Sequence, residues 1–463
     1  MASSWPSPSL LAKVKKEVAS MATAEDKDVR VAVSPYRICP LGAHIDHQGG
    51  SVTAMAISQG VLLGFVPSGN LEMRLLSGQF FGEVRFSLDS VPPKKYNDGA
   101  SNIKTDEYSM EEGAWGNFSR GAVLALQKKG YKLSQGITGF LEGSAGFEGC
   151  GVSSSAAVGV AFLLALESAN GLKVTAEDNI ELDRLFLSCL DSGLTIDLKC
   201  VILQNGLWLD FKMTLKLIKI RLIENEYLGL KNGILDQSAI LLSQRHSLTA
   251  IHCERRMYEL VQPPWYGKNE GDYKILLAFS GLQHALSSKP GYNLRVAECQ
   301  EAATVLLRAV GRGDCEPLLC NVSVDEYEAH KDLLEGELAK RALHFFSENA
   351  RVFAGIDAWS QGNLPEFGRL ISQSGLSSIH NYECGCEPLV QLRDILAQAP
   401  GVYGARFSGA GFRGCCVALV ATDLAGEAEK YVRAKYLNAQ PDLAKRLTTA
   451  TFVCDSADHA HVV

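Results

Sequence analysis

Nine residues leave the chain fewest options for its fold: Gly149-Cys150-Gly151-Val152-Ser153-Ser154-Ser155-Ala156-Ala157, followed at once by the apolar run VGVAFLLALESANG. Small residues let backbone N–H groups approach an anion closely, and a serine-rich start opens a helix whose N-terminus carries partial positive charge. A loop of this kind holds phosphate, and its hydroxyls can reach a Mg²⁺ bound to that phosphate. No G-K-[ST] triplet is present, so it is not a Walker A loop. Taken alone, the stretch fits a plain N-capped core helix equally well. A second glycine run, Gly409-Ala410-Gly411-Phe412-Arg413-Gly414, satisfies G-x-G-x-x-G but not its context. A dinucleotide fingerprint opens a helix and is answered by an acidic residue about 20 positions later. Here the strand-like CCVALVAT follows and residue 434 is Ala434. The run reads as a tight turn between two strands, close to a ligand or to another backbone.

Two further stretches carry polar chemistry. YRICPLGAHIDHQGG, from Tyr36 to Gly50, places Arg37, His44 and Asp46 on a turn after a strand Val29–Ser34. His44 and His47 lack nearby Cys or Glu partners for a metal, and a polar pocket for a small polyhydroxylated ligand is the better reading. Asp236 lies in the otherwise apolar NGILDQSA. A carboxylate there is either paired and used or solvated on a helix face.

Composition removes several classes of function. With 45 basic and 52 acidic residues, a net charge of −7 and a pI near 5.9, the chain offers no broad cationic surface for a nucleic-acid backbone. No window approaches the roughly 18 uncharged apolar residues of a spanning helix. The 13 cysteines are odd in number, scattered from Cys39 to Cys454, and form no C-x-x-C pair. Reduced thiols in a cytoplasmic protein are expected. The N-terminus lacks the apolar h-region of a secretory signal, and Leu10, Leu11, Val14 and Val18 mark one face of a first helix.

Short strand patterns (VRVAVSP, VLLGFVP, VRFSLD; then KILLAFSG, GVYGARFS, CCVALVAT) alternate with helical stretches at Ser153–Ala169, Leu294–Val310 and Ala339–Arg351. This mixture predicts an α+β protein of two lobes with a cleft between them. The turn-rich segments Val91–Gly113 and Val261–Asp272 read as surface connections, and the second divides residues 1–260 from 273–463. Phe186–Arg221 is greasy and β-leaning between two helical patterns. Removing it joins DNIELDRL to LIENEYLGL as one amphipathic helix, which suggests an insertion; an extra hairpin is the alternative.

Taken together, these stretches resemble the GHMP small-molecule kinases, and within them the galactokinase branch. RICPLGAHIDHQGG is similar to the sugar signature G-R-x-N-x-x-G-E-H-x-D-Y, FEGCGVSSSAA to P-x-G-G-G-L-S-S-S-A, GILDQ to G-I-M-D-Q, and ARFSGAGFRGCCVAL to A-R-M-T-G-A-G-F-G-G-C. WGNFSRGAV, PGYNLRVAECQEA and SSIHNYECGCEPLVQL fall in the same order. The resemblance implies a ribosomal-protein-S5-like N-terminal lobe, a ferredoxin-like C-terminal lobe and an active site in the cleft. It implies ATP and Mg²⁺, a small sugar or uronic acid as substrate, no nucleic acid, no membrane, and a monomer. Asp236 would accept the proton of the anomeric hydroxyl, with Arg37 stabilising the developing charge. His44, Asp46, Tyr292 and the position of Ala43 would face the sugar. Gly149, Gly151, Ser153, Ser154, Ser155 and Ala156 would hold the ATP phosphates, while Ser155 (or Ser154) and Glu224 would ligate Mg²⁺.

Departures from the pattern bear on the substrate. The G-E-H glutamate, which approaches the sugar's C6 hydroxyl, is Ala43, and the following Tyr is His47. A C6 carboxylate would meet a glutamate as a like charge; alanine removes that repulsion, and His47 could pair with the carboxylate. The expected reaction is ATP + D-galacturonate → 1-phospho-α-D-galacturonate + ADP. Kinases of galactose or L-arabinose are the runner-up, and a non-catalytic sugar sensor is the rival from another class. Arg413 replaces a family glycine and reads as solvent-facing.

Overall fold

A computed structural model of the chain describes residues 5–91, 115–144, 151–180, 233–267, 272–282, 291–412 and 414–463. Gly149, Glu224, Arg413 and the whole of Phe186–Arg221 lie outside the described residues, so the expectations placed on them stay as they were.

Helix α1 (Pro8–Ala22) begins where Ser7 accepts the Leu10 N–H and Pro8 takes the first position. Strand β1 (Arg30–Ile38) is antiparallel to the 17-residue β2 (Ser51–Pro67). Period-two alternation explains why both strands are apolar on both faces. Val31, Val33, Leu62 and Val66 pack with Val14 and Val18 of α1, whereas Ala32, Leu63 and Phe65 join the main core. The strand expected to end at Ser34 continues to Ile38, because a bulge at Pro35/Tyr36 absorbs the proline without ending the pairing. Arg37 therefore stands on a strand and not on a turn.

Around β2, the sheet adds β3 (Glu72–Ser77), β4 (Val84–Ser87) and β5 (Ile137–Gly143) in the order β1-β2-β5-β3-β4. Strands β6 (Leu248–His252) and β7 (Met257–Val261) extend it from the other end of β2. Helix α2 (Gly116–Lys128) and helix α3 (Ser154–Asn170) cover it. The α3 run VGVAFLLAL is apolar all round because it is the centre of the core: Val160, Phe162, Leu163 and Leu166 are fully buried.

A second antiparallel sheet orders β8 (Tyr273–Phe279), β9 (Val402–Phe407), β10 (Cys415–Ala421) and β11 (Thr451–Cys454) as β11-β8-β10-β9. The second glycine run joins β9 to β10, a strand-to-strand turn as its sequence context required. Helix α4 (Leu235–Leu242), which carries Asp236, packs on β1 and β2; α5 (Gly291–Ala309) packs on α6 (Gly336–Ser360), which also reaches β2, while α7 (Leu364–His380), α8 (Glu387–Ala397) and α9 (Ala425–Ala439) pack on the second sheet.

The end of the chain does not stay with the second sheet. Strands β12 (Ser456–Ala457) and β13 (His461–Val462) return to β2 and β1, so residues 273–463 do not all sit with the second sheet. The return covers an otherwise open edge of β1. Val31 and Val463 exchange backbone bonds at 2.8 and 2.9 Å, and Ala460 N–H reaches Ile240 O of α4 at 2.8 Å. Ending the chain after Asp455 should therefore cost about 2–4 kcal/mol in chemical denaturation and lower kcat through α4. An unchanged unfolding midpoint would show that the return is ornamental.

Candidate active site

Asp236 occupies the first turn of α4, and Arg37 meets it from β1. Arg37 donates from Nε (2.8 Å) and Nη2 (2.7 Å) to Oδ1, and from Nη1 to the Gly151 carbonyl at 3.2 Å. Arg37 is 4% exposed, but the Asp236 side chain is 34% exposed. No described residue hydrogen-bonds Oδ2, which is left uncommitted on a side chain that is one-third exposed. Asp236 is thus paired and partly accessible, as a base needs to be.

Asp46 lies beside it. The carboxyl accepts the backbone N–H groups of Leu235 and His47, capping the start of α4. Part of Asp46 stays open to the cleft, yet burial, and then the neighbouring Asp236 carboxylate, push its pKa up to about 6. Glycine at 233 is what admits it: a Cβ there would lie 2.0 Å from Asp46 Oδ2.

The described end of the phosphate loop is fastened from both sheets. Gly151 O accepts Arg37 Nη1 and, at 2.8 Å, the Ser408 hydroxyl from the β9–β10 turn. Gly409, at φ +66°, lies so close that a Cβ would sit 2.7 Å from Gly151 O. Ser153 caps α3 in the left-handed region at φ 58°, and its Oγ is buried without a partner. Ser154, Ser155 and Ala156 open the helix with no acidic side chain in the first turn and no side-chain cap. A strained residue, an orphaned hydroxyl and unspent helix N–H groups together fit an anion such as a nucleotide phosphate. For Mg²⁺, Ser155 is in place but Glu224 lies outside the described residues, and no cluster of three or more metal-ligating side chains occurs among the described ones.

The remaining sugar-signature residues are gathered on one turn. His44 sits at φ 66°, stacks on Tyr382 at 4.3 Å between ring centroids, and meets Cys384 Sγ at 3.4 Å. Burial, then His344 and Arg406 nearby, hold its pKa well below the usual value, so His44 is neutral. Ala43 is nearly buried among Cys39, Ile45 and Leu235. His47 departs from the expectation of a ring offered to a substrate carboxylate. Leu319 N–H fixes Gln48 Oε1, so Gln48 Nε2 donates to His47 Nδ1 at 3.1 Å, and His47 Nε2 then donates to Tyr382 Oη at 3.2 Å. Tyr292 is the second residue of α5, placing it where the β9–β10 turn meets that helix through Phe412 near Gly291.

Sequence reasoning missed Tyr382, His344, Glu348 and Ser408. A signal existed for two of them: Arg341, His344 and Glu348 recur at i, i+3 and i+7, charged or polar residues on the face of α6 that is buried.

Over 99% of its length the chain is 52% identical to the galacturonokinase of Arabidopsis thaliana, covering 100% of that relative. The chain belongs to the GHMP kinase family. Within this family it is galactokinase-like: it is 30% identical to a galactokinase of Lactobacillus helveticus over 90% of this chain and 92% of that one. The structure of Lactococcus lactis galactokinase complexed with galactose superposes with a TM-score of 0.74 at 26% identity, covering 96% and 98% of the two chains. The family model described as GHMP kinases C terminal matches residues 354–438, from the end of α6 through most of α9. The α+β GHMP kinase fold expected from the motifs is the one observed, and membership implies use of ATP.

The Gly233–Asp46 contact generates a test. Gly233→Ala should leave the unfolding midpoint nearly unchanged and cut kcat/KM by about a hundredfold, the scale of a 1 Å misplacement in a catalytic array. Wild-type turnover would mean that Asp46 is free to move aside.

Proposed function

We propose that this GHMP kinase transfers the γ-phosphoryl group of ATP to the anomeric hydroxyl of D-galacturonate, giving 1-phospho-α-D-galacturonate and ADP and feeding UDP-galacturonate salvage. The observation that carries the substrate is the full-length likeness to the Arabidopsis galacturonokinase. Ala43 supplies a physical reason. It leaves no carboxylate at the position from which the branch's glutamate approaches C6, so a C6 carboxylate meets no like charge there.

In this reading, Asp236 Oδ2 receives the proton of the anomeric hydroxyl, and Arg37 holds Oδ1 and offers its charge to the alkoxide and the incoming phosphoryl group. His44, Asp46 and Tyr292 hold the sugar, with Ala43 leaving room at C6. Gly149, Gly151, Ser153, Ser154, Ser155 and Ala156 hold the nucleotide phosphates. Ser155 and Glu224 would ligate Mg²⁺, which neutralises phosphate charge when bound. Residues 1–260 and 273–463 form the two lobes, less the terminal strands that cross back. The enzyme works as a cytoplasmic monomer; the ten described cysteines are all free, in keeping with a reducing compartment.

The deciding measurement is ADP release with Mg-ATP and galacturonate, glucuronate, galactose or L-arabinose, with Asp236→Ala as the blank. Turnover on galacturonate, lost in the variant, is expected. Preference for galactose would overturn the substrate, and stoichiometric binding without ADP would favour a sensor. Ala43→Glu should depress galacturonate turnover far more than galactose turnover; equal losses would remove the charge argument. Asp46 adds a pH dependence. As pH falls through about 6 its carboxylate gains a proton and loses acceptor capacity, so the sugar KM should rise below about pH 6. That limb should vanish in Asp46→Asn, and its persistence would assign it to another group.

A further inference from the structure

We propose that His344 and Glu348 are specificity-positioning residues of the sugar pocket: from successive turns of α6 they hold the Ala43 carbonyl and the Gly42 N–H, and so set where residue 43 stands against C6 of the substrate. This rests on the sugar-kinase reading above and adds to it residues that touch no substrate. His344 is 1% exposed and Glu348 0%.

The geometry is a two-point grip on one short stretch of backbone. Glu348 Oε1 accepts the Gly42 N–H at 2.8 Å, and His344 Nε2 donates to Ala43 O at 3.0 Å. The tautomer follows from the partners. A carbonyl only accepts, so the proton is on Nε2, and Nδ1 accepts the Ser377 hydroxyl of α7 at 2.9 Å. Burial pulls His344 down to about 4, which keeps the ring neutral with its single N–H committed to Ala43. Glu348 is itself anchored. Arg351 Nε donates to its Oε2 at 2.7 Å, Ser374 Oγ bonds its Oε1, and Arg406 stands 3.8 Å away. Burial opposes its charge, but the permanently charged Arg351 and Arg406 hold the carboxyl below its usual range, so it stays ionised.

The stretch needs such a grip because it runs from a turn that only glycine can make to a strained histidine. Gly42 sits at φ +90°, with the space of a Cβ taken by Val52 Cα at 2.6 Å, and His44 sits at φ +66°. A left-handed non-glycine residue costs roughly 1–3 kcal/mol and persists only where surrounding contacts over-determine it. With a glutamate at position 43, the side chain would define the pocket wall. With alanine, the backbone defines it, and the position of the backbone is what α6 controls.

The test is steady-state kinetics of His344→Leu, His344→Gln and Glu348→Gln against galacturonate, galactose and ATP, with unfolding midpoints alongside. His344→Leu should raise the galacturonate KM about tenfold or more, the scale of a buried carbonyl left without its donor. Its ATP KM should stay within about twofold and its saturating kcat within about threefold, and the galacturonate-to-galactose ratio of kcat/KM should fall. His344→Gln, which can still donate to Ala43 O, should recover most of the KM. The proposal is overturned if sugar KM is unchanged, if ATP KM and kcat decline in step with it, or if Gln is no better than Leu. Should His344→Leu fail to fold, Glu348→Gln is judged by the same split. Should wild type prefer another sugar, the KM series is run on that sugar: the substrate reading then falls, and the grip stands or falls on the split alone.

Discussion

A guanidinium almost wholly removed from water must have its charge answered, and Arg37 is answered by two separate parts of the chain. It leaves β1, gives two bonds to Asp236 on α4 and a third to the Gly151 carbonyl at the phosphate loop. Ser408, from the second sheet, closes on the same carbonyl. Asp236, the loop at Gly151 and both sheets therefore share one electrostatic node. The same node decides how charge divides between two adjacent carboxylates. Arg37 commits both of its carboxylate bonds to Asp236, while Asp46 is left with backbone N–H groups and rises to about 6. The two neighbouring carboxylates thus sit in different surroundings: one is held by a guanidinium and the other is buried among backbone donors.

How legible this was in the sequence depended on the range of the interaction. The strands VRVAVSP, KILLAFSG and CCVALVAT, the helix after Ser153 and the rejection of a dinucleotide site at Gly409–Gly414 rest on periodicity and neighbours, and all appear in the structure. Paired motifs gave Arg37, Asp236 and the serine loop. What failed was long-range. Nothing near Pro35 announces that β1 continues past it, because a bulge against Gly60 on the partner strand absorbs the mismatch. Nothing in DHQ shows that His47 is held on both ring nitrogens, one of them by a tyrosine 335 residues away. The return of β12 and β13 to the first sheet likewise depends on an edge that only the assembled fold exposes.

Ion pairs in the C-terminal half of the chain hold the segment around Tyr382. Glu383, left-handed at φ 57°, is held by Lys340 at 2.7 Å and Arg341 at 2.8 Å, and these pull its carboxyl down to about 2. Arg341 is fully buried and bonds Glu298 at 2.6 Å as well. This ion network fixes the segment that presents Tyr382 to His44 and His47, and Cys384 to His44. The sugar turn is thus gripped at residues 42–43 through α6 and at residues 44 and 47 through the Tyr382 segment, both from the C-terminal half of the chain.

A carboxylate is a weak base beside an alkoxide, which at first sight argues against the proposal that Asp236 takes the proton of a sugar hydroxyl. The objection weakens when the chemistry is considered. Phosphoryl transfer passes through a loose transition state in which bonding to the nucleophile lags and charge is spread over the phosphoryl oxygens. The hydroxyl proton then leaves late, and a strong base held ready in the ground state would gain little. What the transition state needs is fixed positive charge and a correctly placed acceptor, already organised before reaction. On the proposed reading Arg37 supplies the first and, by holding Oδ1, leaves Oδ2 in one place as the second. The pairing that engages Oδ1 is what gives Oδ2 a defined position.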